Sequence, residues 1–71
     1  MKLSELTMPE VNYLRQNGNF TDDEDVAFMM LTRGKTLTEI AIKLSVSETT
    51  VDRIVSRIKR KISRIGGMSN G

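Results

Sequence analysis

A threonine followed three residues later by a glutamate occurs at Thr7–Glu10, Thr21–Glu24 and Thr36–Glu39, each time ahead of an apolar run. This is the spacing of a capping box. The hydroxyl accepts from the third helical N–H, and the carboxylate reaches back to the N–H of the threonine. With Ser47 ahead of a fourth apolar run, these starts divide the 71 residues into short helices. No segment carries the two-residue alternation of a half-buried strand.

The predicted segments run from about Met8 to Asn17, Asp22 to Arg33, Leu37 to Leu44, and Ser47 to Ile62 or Ile65. Pro9 falls in a first turn, where a missing N–H costs nothing, and a short turn at Ser4 precedes that helix. Gly18 and Gly34 suit left-handed stops. The first helix should bury Val11 and Leu14, with Tyr13 packing nearby. In the second, Val26, Met29 and Met30 mark the inner stripe, with Phe28 or Leu31 at its margins. Leu37, Ile40, Ala41 and Leu44 do so in the third. In the fourth, Val51, Ile54, Val55, Ile58, Ile62 and Ile65 fall within an arc of about 100°, the width of a core-facing stripe. The fold class is therefore all-α: a small helical bundle with a helix-turn-helix, about four helices around a three-helix core. Residues 1–20 read as a helical extension, 21–65 as the helix-turn-helix domain, and 66–71 as a flexible tail without apolar periodicity.

Composition narrows the function. There is no Cys and no His, so disulfides and zinc sites built on those residues are excluded. No phosphate loop or dinucleotide fingerprint occurs, and a bundle this small offers no deep cleft. The reading is not an enzyme, with no cofactor, no metal and no small-molecule substrate. The acids Asp22 to Asp25 sit in a first helical turn, where the helix dipole favours them without any metal. No stretch approaches the roughly 20 apolar residues of a membrane span, and no leader is visible at the start; the expectation is a cytoplasmic protein.

Charge is unevenly placed. In residues 1–34, Lys2, Arg15 and Arg33 face six carboxylates; in residues 35–71, eight cations face Glu39, Glu48 and Asp52. Arg53, Arg57, Lys59, Arg60, Lys61 and Arg64 follow one another with no acid between them. Such asymmetry points to a polyanionic partner.

The third and fourth segments form a short helix, a three-residue turn and a longer helix with a polar outer face, which is the helix-turn-helix plan. Ala41 is small enough for the next helix to approach, and Val46 can plug the corner. At about 100° per residue, Thr49, Arg53, Ser56 and Arg60 lie on the side of the fourth helix opposite Val51, with Arg57 on its flank. Arginine pairs bidentately with guanine, and hydroxyls meet several base edges. The candidates for base contact are Thr49, Asp52, Arg53 and Ser56, with Asp52 either accepting from cytosine or orienting Arg53 or Lys59. Arg57, Arg60, Lys61 and Lys43 are candidates for phosphate, which positions without specifying. Lys35, Thr36 and the N–H groups at the start of the third helix could hold another phosphate. All of this requires Thr49, Arg53 and Ser56 to be left uncovered by the amino-terminal part.

The same residues resemble the LuxR/GerE-type helix-turn-helix domain. The likeness lies in Phe20-Thr21, Glu24, Gly34, Glu39-Ile40-Ala41, Leu44, Val46-Ser47, Thr50-Val51, Ile54, Ile58 and Lys61-Ile62, whose spacings agree without gaps. The resemblance implies double-stranded DNA binding and transcriptional regulation in bacteria or their phages. It places positions 52, 53 and 56 on bases and Thr50 near phosphate. The chain departs from the family at Asp52, where a basic residue is usual. It also reaches Gly66-Gly67 where the family continues into a further helix that often pairs subunits. Region four of sigma factors is similar over the same stretch, which keeps a rival open: a protein-interaction module binding RNA polymerase or another regulator, with weak DNA contact. The acidic first half and Asp52 favour the rival. A homodimer is a further expectation, because so small a core is marginal and two-fold operators suit such domains.

Overall fold

The computed structural model describes residues 3–65. A 3-10 turn at Leu3–Glu5 leads into four helices: α1 (Met8–Asn17), α2 (Asp22–Thr32), α3 (Leu37–Leu44) and α4 (Glu48–Ile65). No strand occurs among the described residues, so the all-α expectation holds. The tail expected to be flexible lies outside the described residues.

All three capping boxes form. The N–H of Thr7 donates to Glu10 Oε1 at 2.8 Å, and those of Thr21 and Thr36 donate to Glu24 and Glu39 at 3.0 Å each. Ser47 Oγ accepts from the Thr50 N–H at 3.2 Å and so starts α4. Two helices end alike. After α2, Gly34 takes φ +79° and the Lys35 N–H closes on the Met30 carbonyl at 3.0 Å. After α3, Ser45 takes φ +58° and the Val46 N–H closes on the Ala41 carbonyl, also at 3.0 Å. Both are left-handed closures that satisfy carbonyls of the last turn.

Ser45 carries a Cβ in a region that disfavours one, at a cost of about 1 kcal/mol. Ser45→Gly is therefore expected to raise the melting temperature by several degrees, since about 4–8 °C accompanies each kcal/mol in a domain this small. Calorimetry checks this; a lower midpoint would mean that the serine hydroxyl contributes more than its backbone conformation costs.

Gly18 is not the left-handed stop that the sequence suggests. It is right-handed, with φ −79°, and Asn19 takes the positive φ of 55° instead. Glycine is required here for space: a Cβ would lie 2.7 Å from the Leu14 carbonyl and 2.8 Å from the Phe20 ring.

α4 packs against each of the other helices. Its Val51, Ile54, Ile58 and Ile62 are buried among Val11 and Leu14 of α1, Ala27 and Phe28 of α2, Ile40 and Ala41 of α3, and Leu3. Two expectations are corrected. On α2 the innermost residues are Ala27 and Phe28, both without exposure, whereas Val26, Met29, Met30 and Leu31 are half-buried. The Phe28 ring lies 5.1 Å from that of Phe20, tilted by 52°. On α1, Tyr13 does not pack but is 54 % exposed; it lies about 100° around the helix from Leu14, which with Val11 already fills the contact.

Two of the α2 acids tie helices together. Arg15 grips Asp25 with two parallel hydrogen bonds of 2.7 Å, linking α1 to α2. Glu24, buried to 2 % exposure, pairs with Lys61 and links α2 to α4.

Candidate nucleic-acid interface

Because Val51, Ile54 and Ile58 turn one side of α4 into the core, the opposite side faces solvent along its length. Thr49, Asp52, Arg53 and Ser56 are all exposed there. Together with Arg57 and Arg60 they line one shallow trough. Neither α1 nor the 3-10 turn covers them. The helix is presented by the expected turn: Val46 packs against the core from between Ser45 and Ser47. A second tie was not foreseen. The Thr38 hydroxyl donates to Glu48 Oε2 at 2.9 Å, joining the first turn of α3 to the first turn of α4.

Lys35, Thr36 and Lys43 are exposed near the two ends of α3. Lys35 Nζ stands 3.9 Å from Glu39 Oε2 in a half-exposed pair of the kind that contributes little. The Thr36 hydroxyl serves the cap: it accepts from the Glu39 N–H at 3.2 Å and donates to Glu39 Oε1 at 3.1 Å. The Thr36 N–H first and its hydroxyl next, which outweigh the opposing effect of burial, and the Lys35 charge last hold the Glu39 carboxyl below its usual range. Thr50 is half-buried, with its hydroxyl 3.1 Å from Ser47 Oγ.

Asp52 forms no ion pair with Arg53 or Lys59 among the described residues. It lies between the trough and a second shallow groove that Lys35 and Lys59 also border. Its exposure leaves it free to accept from a donor brought by a partner. Ile42, on the outer side of α3, is 74 % exposed.

Lys61 needs a different account from the one its position in the basic run suggests. Its ammonium donates to Glu24 Oε1 and, at 3.0 Å, to the Asn19 carbonyl. Glu24 Oε1 also accepts the Thr21 N–H. Burial alone would raise the Glu24 carboxyl. The hydrogen bond from Lys61, that from the Thr21 N–H, and the charges of Lys61 and Arg57 outweigh burial and hold it below its usual range. Lys61 is thus half-buried and its ammonium is bonded within the molecule. Glu24 was legible as a cap but not as the partner of a lysine 37 positions away. The other α4 cations, Arg53, Arg57, Lys59, Arg60 and Arg64, form no ion pair among the described residues.

No helix among the described residues is long and apolar enough to cross a membrane. The family model for bacterial regulatory proteins of the luxR family, GerE, matches residues 19–64. That span begins at the loop before α2 and reaches the last turn of α4, leaving α1 outside it. No curated protein and no solved structure matches the chain.

Proposed function

The chain belongs to the LuxR family of bacterial regulatory proteins and carries its helix-turn-helix DNA-binding domain; from that premise we propose that it binds double-stranded DNA sequence-specifically, with α4 in the major groove, and so regulates transcription in the cytoplasm of a bacterium, on host or phage DNA. The observation that carries this reading is the uncovered outer side of α4, where hydroxyls and arginines that form no ion pair among the described residues lie opposite the buried stripe. Base recognition is assigned to Thr49, Asp52, Arg53 and Ser56, and phosphate contact to Lys35, Thr36, Lys43, Thr50, Arg57 and Arg60. The hydroxyls and the N–H groups of Thr36 and Thr50 already serve the helix starts, so either residue would meet a phosphate by sharing or giving up a capping bond. An anion at the start of α3 would also meet the positive end of the helix dipole.

The assignment separates roles that mutation can distinguish. Arg53→Ala is expected to weaken binding to a selected site by about 1–3 kcal/mol and to relax the choice of base there. Arg60→Ala is expected to weaken every duplex by a similar factor, because a phosphate contact carries no sequence information. Anisotropy titrations on the selected site and on a scrambled duplex measure both. Equal behaviour of the two variants would overturn the assignment.

One observation speaks for a protein partner: Asp52 is exposed on the reading side and forms no ion pair among the described residues. A polymerase-binding module would use that side on protein and bind generic duplex poorly. Pairing of two copies on a two-fold site remains part of the proposal, and sedimentation at assay concentration showing only the 8.0 kDa species would remove it.

A further inference from the structure

The basic run on α4 carries six cations, yet one of them is held back. Lys61 follows Arg57 by one helical turn and lies about 40° further round the helix, on the flank that a phosphate backbone would pass. Two of its three N–H donors are occupied by Glu24 and by the Asn19 carbonyl. Glu24 is 2 % exposed and, among the described residues, forms an ion pair with no other cation, although the Arg57 charge also favours its ionised form. Moving Lys61 to a phosphate would strand a buried carboxylate, which a protein tolerates poorly.

We infer that Glu24 is an affinity-limiting residue: it withholds Lys61 from the duplex and so lowers the sequence-independent part of DNA binding. This rests on the DNA-binding reading above. The physical consequence is specific. Each phosphate neutralised by a protein cation adds about 0.9 to the steepness of log affinity against log salt on duplex DNA. Lys61 adds nothing to that steepness while Glu24 is charged. None of the proposed base contacts lies at this flank, so base recognition is untouched by the pair.

The test is the salt dependence of binding by the full chain to a generic duplex, read by anisotropy, with helicity checked by circular dichroism. Glu24→Gln keeps an acceptor for the Thr21 N–H but removes the charge. It is expected to bind several-fold tighter near 0.1 M salt, with a slope steeper by about 0.9. The double variant Glu24→Gln with Lys61→Met removes the pair as a neutral unit and is expected to keep the wild-type slope. The inference is overturned if Glu24→Gln leaves the slope unchanged, or if the double variant flattens it by about 0.9, since Lys61 would then already be on a phosphate. Should Glu24→Gln not fold, the double variant decides alone by the same criterion. Absence of wild-type binding even at low salt would instead bring down the DNA-binding reading, and this inference with it.

Discussion

Raising salt from 50 to 200 mM is expected to weaken the wild-type chain's binding to its selected duplex by about two to three orders of magnitude. The estimate follows from the cations that the fold leaves open. Arg57 and Arg60 on α4, with Lys35 and Lys43 on α3, are exposed, and Arg53 and Arg64 add to the field at either end. If about four to six phosphates are neutralised, log affinity falls against log salt with a slope of roughly −4 to −5. Lys61 is left out of that count because Glu24 holds it. A titration series at four or five salt concentrations gives the slope directly. A slope near zero would remove the duplex reading and favour a protein partner, because contacts between a helix face and a protein are not dominated by released counterions. A slope one step steeper than the open cations allow would show that Lys61 takes part.

Local chemistry was legible in the sequence wherever a few neighbouring residues decide the outcome. The three threonine-glutamate pairs and Ser47 start helices because every atom of the cap lies within one turn. The inner side of α4 was readable because polar residues separate Val51, Ile54, Ile58 and Ile62, so only one phase of the helix buries them all. The reading side follows by rotation from that stripe. α2 was different. Val26 to Leu31 is apolar at every position, and periodicity cannot choose a phase in an unbroken apolar run. The phase is set from outside, by the tilted packing of Phe20 against Phe28 and by Lys61 drawing Glu24 inward. Gly18 was misread for a similar reason. Its need arises from the approach of the Phe20 ring rather than from its own backbone angle. Lys61 looked like its neighbours in the basic run, and only the return of α4 past the start of α2 gives it a carboxylate.

The choice of phase on α2 can be tested by its energetic consequence. Phe28→Ala is expected to cost about 3–5 kcal/mol, the loss of a fully buried aromatic side chain together with the cavity left behind. A domain of this length holds only about 4–11 kcal/mol in total, so the variant should lose a large fraction of its stability. Phe28→Leu keeps much of the volume and should cost much less. Met29→Ala and Met30→Ala remove half-buried side chains and should fall well short of Phe28→Ala, because part of each side chain stays in contact with water in the folded state. Urea titrations followed by circular dichroism give the order through the midpoints, provided the slopes stay equal. A larger loss from Met29→Ala than from Phe28→Ala would mean that α2 is rotated from the arrangement described. The consequence would reach the interface, because α2 packs directly against α4. Rotating α2 would carry Glu24 away from Lys61, release that cation, and shift the backing against which Val51 and Ile54 hold the reading side outward. Stability of Phe28 and steepness of the salt response are thus two readouts of one packing arrangement, and they should fail together if it is wrong.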